Sequence, residues 1–313
     1  MGTLQVTHPD IMKFITCKGE LSDINQAIYD IVVMQVTELI EDILSRAPAS
    51  VAARFAKEVK DLPHRVKKAF TDNQITNFNI SVLAPDWFMK KALGEDPDPF
   101  YDLINPRTNE KQGRANAVEV FDAIKRYAHL SGDPGIVFID AVEAANPTPH
   151  VGSYTATNPC GEQPLLPYEA CVLSSINLAK CVDFTDPERP RVDFAKIEKL
   201  SKMAQHFLDN VIDAQSYADP RIEEMHKSNR KTGNGVMGWA DMLVSLGYSY
   251  ASPHAVDLGR DIMRVITTTM RDESVRLGKE RGSYPNFKGS IHDGVYPALR
   301  NATSTTIAPT GTI

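Results

Sequence analysis

Apolar residues recur at helical spacing in several long runs. Ile24, Ile28, Ile31, Val36, Leu39 and Ile43 fall on one stripe, which Ala47-Pro48 ends. Ser50 can cap a second helix carrying Phe55, Val59, Leu62, Val66 and Phe70, kinked at Pro63. Together they predict an amphipathic helical hairpin over 21–73. Near the start, Ile11, Phe14 and Ile15 follow Thr7-His8-Pro9-Asp10, a helix start with Thr7 as cap and Asp10 at the third helical position. Further helices are expected at 117–130, at 193–213 with Ile197, Phe207, Leu208 and Ile212 on the buried face, and at 252–278. Short apolar runs at 77–83, 100–104, 135–140, 172–182 and 303–307 read as strands. Strands alternating with long amphipathic helices give the fold class α/β.

One stretch obeys neither period. Thr157-Asn158-Pro159-Cys160-Gly161-Glu162-Gln163-Pro164-Leu165 is broken by Pro159, Gly161 and Pro164, so it reads as a projecting loop. Side chains alternate in an extended loop, so Asn158, Cys160 and Glu162 are expected to point into one space. An amide can hold a hydroxyl, a carboxylate can take its proton, and a thiol can do covalent or radical work. A turn with a buried small Cys is the competing reading, and spacing alone leaves both open. Gly233-Asn234-Gly235-Val236-Met237-Gly238 suggests an anion site before a helix, but it lacks the Lys-Ser/Thr that ends a P-loop. In Ala308-Pro309-Thr310-Gly311-Thr312, backbone N–H groups and two hydroxyls suit a phosphate.

Composition narrows the class. The net charge of −6 leaves no basic footprint for a nucleic-acid partner. No apolar run approaches the roughly 20 residues of a membrane span, and the N-terminus lacks a signal-peptide layout. The expected place is therefore cytoplasmic. Cys17, Cys160, Cys171 and Cys181 fit no metal-ligand spacing, so no metal site is expected. Cys17 and Cys181 read as buried structural residues, and His8 and His206 as structural or boundary residues.

Thr157 to Leu165, followed by Ala170-Cys171-Val172-Leu173-Ser174-Ser175-Ile176-Asn177-Leu178, resembles the active-site loop and following strand of ribonucleotide reductase large subunits. The likeness is greatest to the adenosylcobalamin-dependent class II enzymes. Met1-Gly2-Thr3-Leu4, Asn77-Phe78-Asn79-Ile80-Ser81-Val82, Gly132-Asp133-Pro134-Gly135, Asn229-Arg230-Lys231-Thr232-Gly233 and Arg281-Gly282-Ser283-Tyr284-Pro285 stand in family order. The 21–73 segment departs from the pattern.

The resemblance implies part of a ten-stranded α/β barrel at 1–20 and 74–313, with the hairpin 21–73 inserted and Cys160 carried into a shielded interior. It implies reduction of ribonucleotides to 2′-deoxyribonucleotides by a thiyl radical on Cys160, with Glu162 as proton acceptor and Asn158 holding the ribose. Cys171 becomes half of a redox pair, whose partner thiol matches none of the other three cysteines. Asn73, Gln74, Ile75, Thr76 and Asn77 form the loop linking effector to substrate. Gly235, Met237 and Gly238 lie near the active site, and Ala308 to Thr312 hold the substrate phosphates. Implied partners are a ribonucleotide, a dNTP or ATP effector, a thioredoxin-like reductant, flanking reductase polypeptides and a second copy. The chain alone is expected to be inactive or very weak. Three alternatives accompany this reading: a class I large subunit fed by a partner metalloprotein, a non-catalytic nucleotide-binding or assembly piece, and an ordinary thiol nucleophile. The last lacks a local His to activate the thiol.

Overall fold

The structure, a computed structural model, describes residues 1–19, 23–50, 61, 63, 65–66 and 77–311. The chain forms two compact units, Met1–Ala141 and Val142–Ile313.

In the first unit the order is β1 (Gly2–Gln5), α1 (Ile11–Thr16), α2 (Asp23–Ser45), β2 (Ile80–Ala84), α3 (Asp86–Ala92), β3 (Phe100–Ile104), β4 (Lys111–Asn116), α4 (Ala117–Ser131) and β5 (Gly135–Phe138). Strands β1, β2 and β5 form a parallel sheet in that order, with Leu4 opposite Val82 and Val82 opposite Ile136. The central strand is buried along all five residues, which explains its unbroken apolar sequence. Its core includes Ile11, Ile15, Val82, Phe88, Tyr101 and Ile124.

Helix α1 begins three residues later than the capping pattern predicts. The His8 ring accepts the Asp10 N–H and the His8 carbonyl accepts that of Ile11, so a turn occupies the expected first helical residues. Helix α2 follows the predicted stripe, yet Ile28, Ile31, Met34, Leu39 and Ile43 are exposed. Phe55, Val59, Leu62 and Phe70 of the expected second helix lie outside the described residues. So do Asn73, Gln74, Ile75 and Thr76; Asn77 is exposed.

The second unit runs β6 (Ala156–Thr157), β7 (Pro164–Leu165), β8 (Val172–Asn177), β9 (Val182–Asp183), β10 (Arg191–Val192), α5 (Phe194–Ala214), α6 (Pro220–Asn229), β11 (Thr232–Met237), α7 (Trp239–Leu246) and α8 (Pro253–Arg281). Strands β8 and β11 pair in parallel over six residues. The segment 303–306 runs along the other edge of β11, with Thr232 and Asn234 N–H groups donating to the Thr303 and Ser304 carbonyls. Strand β8 ends at Asn177, short of the predicted 182. The Asn177 side chain accepts the Ala179 N–H at 3.1 Å and starts a 3-10 turn instead. Helix α5 is capped by Asp193, whose side chain accepts the Lys196 N–H. It buries Ile197, Leu208 and Ile212 as expected, but leaves Phe207 exposed and buries Ser201, Gln205 and Asp209.

The described residues are mixed α/β with parallel strand pairs, and among them no barrel closes. No helix among them is long and apolar enough to cross a membrane.

Candidate active site

The reactive loop is a hairpin tip. Ala156 pairs with Leu165 and Thr157 with Pro164, antiparallel. Between them the Gly161 N–H returns to the Asn158 carbonyl at 3.0 Å, closing a β-turn with Pro159 and Cys160 at its centre. Gly161 has φ +90°, a conformation L side chains rarely adopt. The Asn158 side chain accepts the Gln163 N–H at 3.0 Å, and the Gln163 carbonyl accepts the Asn158 N–H. Pro159 and Gly161 therefore curl the chain instead of extending it, so strict alternation does not govern where Asn158, Cys160 and Glu162 point. The Asn158 carbonyl amide oxygen is used inside the hairpin.

Cys160 is exposed at the tip, contrary to the expected shielded thiol. A two-rung hairpin projects its turn away from the strands that hold it, and among the described residues of this unit none covers the thiol. Glu162 is half-buried. Its carbonyl accepts the Thr306 hydroxyl at 3.0 Å, which rests the hairpin on the 303–306 segment. Its Oε2 is buried and has no hydrogen-bond partner. An unpartnered buried carboxylate oxygen is costly, and it leaves this site able to accept one further hydrogen bond.

Cys171 stands immediately before β8 and is half-buried. Burial pushes its thiol up to about 12; Lys231 pulls the other way, while Glu169 and Glu162 add to the rise. At neutral pH the group is a thiol, the form that can donate hydrogen.

Beneath the hairpin lies a buried ion pair. The Lys231 ammonium is 0% exposed and 2.8 Å from Glu169 Oε2, itself fully buried. It also donates to the Pro164 carbonyl and the Tyr154 hydroxyl, each at 3.3 Å. Glu169 accepts the Leu166 N–H at 2.8 Å and the Asn229 amide at 2.6 Å. The local fold aims Lys231 inward because Arg230, at φ +49°, ends α6 in a left-handed turn. Arg230 is held in turn by Asp209 and Asp213. Sequence reading gave Lys231 and Glu169 no role. A lysine at a strand entry and a glutamate two residues before Cys171 are the only traces they leave.

The glycines of β11 admit close approach. A Cβ on Gly235 would stand 2.6 Å from the Thr306 carbonyl oxygen, and one on Gly233 would stand 2.5 Å from the Thr306 methyl. Met237 pairs with Asn177, and Gly238 at φ +69° starts α7. Beyond Thr306, Ala308 and Thr310 are half-buried, Pro309 and Gly311 exposed, and Thr310 has φ +49°. Thr312 lies outside the described residues. The second unit thus joins the hairpin, the glycine strand and the start of the expected phosphate loop through Thr306. An apolar cavity of about 360 Å³, lined by Val236, Trp239, Tyr250, Met263 and Ile307 among others, includes none of the expected site residues.

The second unit thus sets a cysteine-bearing hairpin in the same unit as a parallel strand pair. The family model described as ribonucleotide reductase, barrel domain, matches residues 1–313, and the chain belongs to that family. It is 44% identical over 246 residues to the vitamin B12-dependent ribonucleoside-diphosphate reductase of Mycobacterium tuberculosis, covering 79% of this chain and 34% of that protein. It is 43% identical over 239 residues to the reductase of the same description from Thermoplasma acidophilum, covering 76% of this chain and 30% of that one. A ribonucleoside-diphosphate reductase subunit alpha from Chlamydia pneumoniae is 34% identical over 173 residues, 54% of this chain and 16% of the relative. The chain spans about a third of the length of the first relatives.

Proposed function

We propose that this chain carries the catalytic layer of a ribonucleotide reductase large subunit of the adenosylcobalamin-dependent kind, making 2′-deoxyribonucleotides from ribonucleoside diphosphates for DNA synthesis. The observation that carries the reading is the orphaned Glu162 Oε2, two residues from the exposed Cys160 thiol on one hairpin.

Adenosylcobalamin, when bound, supplies the radical that starts the reaction. The residues present fit that need at one point: the Cys160 thiol is open to an approaching group. Cys160, as a thiyl radical, takes the hydrogen atom from C3′ of the ribose. Glu162 takes the 3′-hydroxyl proton, which assists loss of the 2′-hydroxyl as water. Asn158 orients the ribose through its amide nitrogen. Cys171 and a second thiol supply two hydrogen equivalents and become a disulfide, and Cys160 regains its hydrogen atom. Ribonucleotide and two thiols become deoxyribonucleotide, water and one disulfide. A thioredoxin-like dithiol resets the pair by exchange.

Ala308 to Thr312 hold the substrate phosphates, and Gly235 lets the chain entering them approach β11. Residues 73–77 couple a dNTP or ATP effector to substrate choice. Residues 1–20 and 74–313 belong to the ten-stranded barrel and 21–73 are an insertion, whose exposed apolar face on α2 suits a dimer or effector surface. The protein works in the cytoplasm and needs the remaining reductase polypeptide. The test is deoxynucleotide formation by the complete polypeptide carrying this chain, with adenosylcobalamin and a dithiol. Glu162→Gln should lower turnover by roughly 10²- to 10⁴-fold with substrate binding retained. An unchanged rate removes the assignment.

A further inference from the structure

The eight residues from Pro164, in the arm of the reactive hairpin, to Cys171 wind around one buried cation. Lys231 takes the Pro164 carbonyl at one end of this run and Glu169 Oε2 near the other. The same Glu169 oxygen takes the Leu166 N–H, so the run closes on itself around the ammonium. In the parallel register Val172 faces Thr232, which puts Cys171 and Lys231 one step before the first paired residues of β8 and β11. The Tyr154 ring centroid lies 4.7 Å from the ammonium and completes its enclosure.

We propose that Lys231 is a positioning residue for the thiol chemistry: it fixes the arm that carries Cys160 relative to Cys171, and supplies the positive charge that stabilises Cys171 as a thiolate. The proposal rests on the reductase reading for its purpose, but its test does not use reductase activity. When Cys171 passes to a disulfide, the proton its sulfur now donates to the Val172 carbonyl at 3.6 Å must leave, and the Lys231 ammonium is the positive charge that favours that loss. The charged groups around Cys171 are Lys231, Glu169 of its own loop and Glu162 of the hairpin. Those around Lys231 are Glu169, Cys171 and Glu143, with the Tyr154 hydroxyl. Burial works against both the ammonium and the thiolate, so each charged form depends on its neighbours.

Alkylation reads the thiolate directly: the sulfur displaces iodide from iodoacetamide, forming a carbon–sulfur bond. At a fixed pH below the thiol's own value the rate follows the thiolate fraction. In the full chain at pH 9, with sites resolved by peptide mass, Lys231→Gln should slow Cys171 about tenfold. Lys231→Arg keeps the charge and should stay within about threefold of the wild type. Cys160 should react alike in all three. Should Lys231→Gln unfold, seen as rapid labelling of buried Cys181, the comparison passes to Glu169→Gln with and without Lys231→Gln. There the neutral amide pair keeps the packing, and the form without Lys231 should again be slower. Cys171 reacting at or above the wild-type rate without Lys231, or Arg behaving like Gln, overturns the proposal.

Discussion

Gly235 lies directly beneath the Thr306 carbonyl: a Cβ there would come within 2.6 Å of the oxygen and 3.6 Å of the Ala308 nitrogen. Backbone cannot step aside as a flexible side chain does. Gly235→Ala should therefore push the 306–308 segment off β11. The expected loss is about 1–3 kcal/mol of stability, with weaker nucleotide binding at the same time. Urea unfolding and nucleotide titration measure the two effects.

Asp209 is fully buried and gathers Arg230, Arg281, Arg300 and the Asn301 amide. Replacing it with Ala leaves the buried Arg230 guanidinium with the half-exposed Asp213 as its carboxylate and the residue 209 carbonyl as a neutral acceptor. Removal of one partner from a buried ionic cluster costs about 3–5 kcal/mol. Asp209→Ala should lower the thermal midpoint far more than Asp257→Ala, whose pair with Arg260 is exposed.

The first unit was legible where an element carries a clear apolar run or buries one clear stripe, as the helix from Ala117 does with Val120, Ile124 and Tyr127. Phe100–Ile104 and the helix from Ala117 emerge where the pattern put them. Strand β4, Lys111–Asn116, has no apolar alternation and is set by its pairing with β3, so the pattern missed it. On α5, Phe207 fits the apolar stripe but is exposed, because the face beneath the Asp209 cluster is polar. At the site, motif reading offered Asn158, Cys160 and Glu162 as candidates from their spacing, and Cys171 from the family resemblance alone. It did not find the Lys231–Glu169 pair, since a buried charge leaves no periodic signal and depends on contacts 62 residues apart. The orientation of the hairpin was misjudged because an i to i+3 turn hydrogen bond replaces extension at Gly161.

Two histidines make stability depend on acidity. Burial holds His226 and His292 below the usual imidazole value of 6.5. The unfolded chain binds these protons first, so folding loses stability as pH falls through about 6.5 and regains it above. Thermal midpoints measured from pH 8 to pH 5 should fall. His226→Gln should flatten that slope.

The four cysteines differ in access. Cys160 is exposed, Cys17 and Cys171 half-buried and Cys181 buried. Brief treatment with iodoacetamide at pH 8 should label Cys160 first and Cys181 last. Cys171 should lag, since burial holds it near pH 12. Peptide mass spectrometry gives the order.

The most direct test of the central claim replaces one sulfur. In the complete polypeptide carrying this chain, supplied with a ribonucleoside diphosphate, adenosylcobalamin and a dithiol, Cys160→Ser should form no deoxynucleotide, while Cys17→Ser forms it at the wild-type rate. A Cys160→Ser protein that still makes deoxynucleotide would contradict the account.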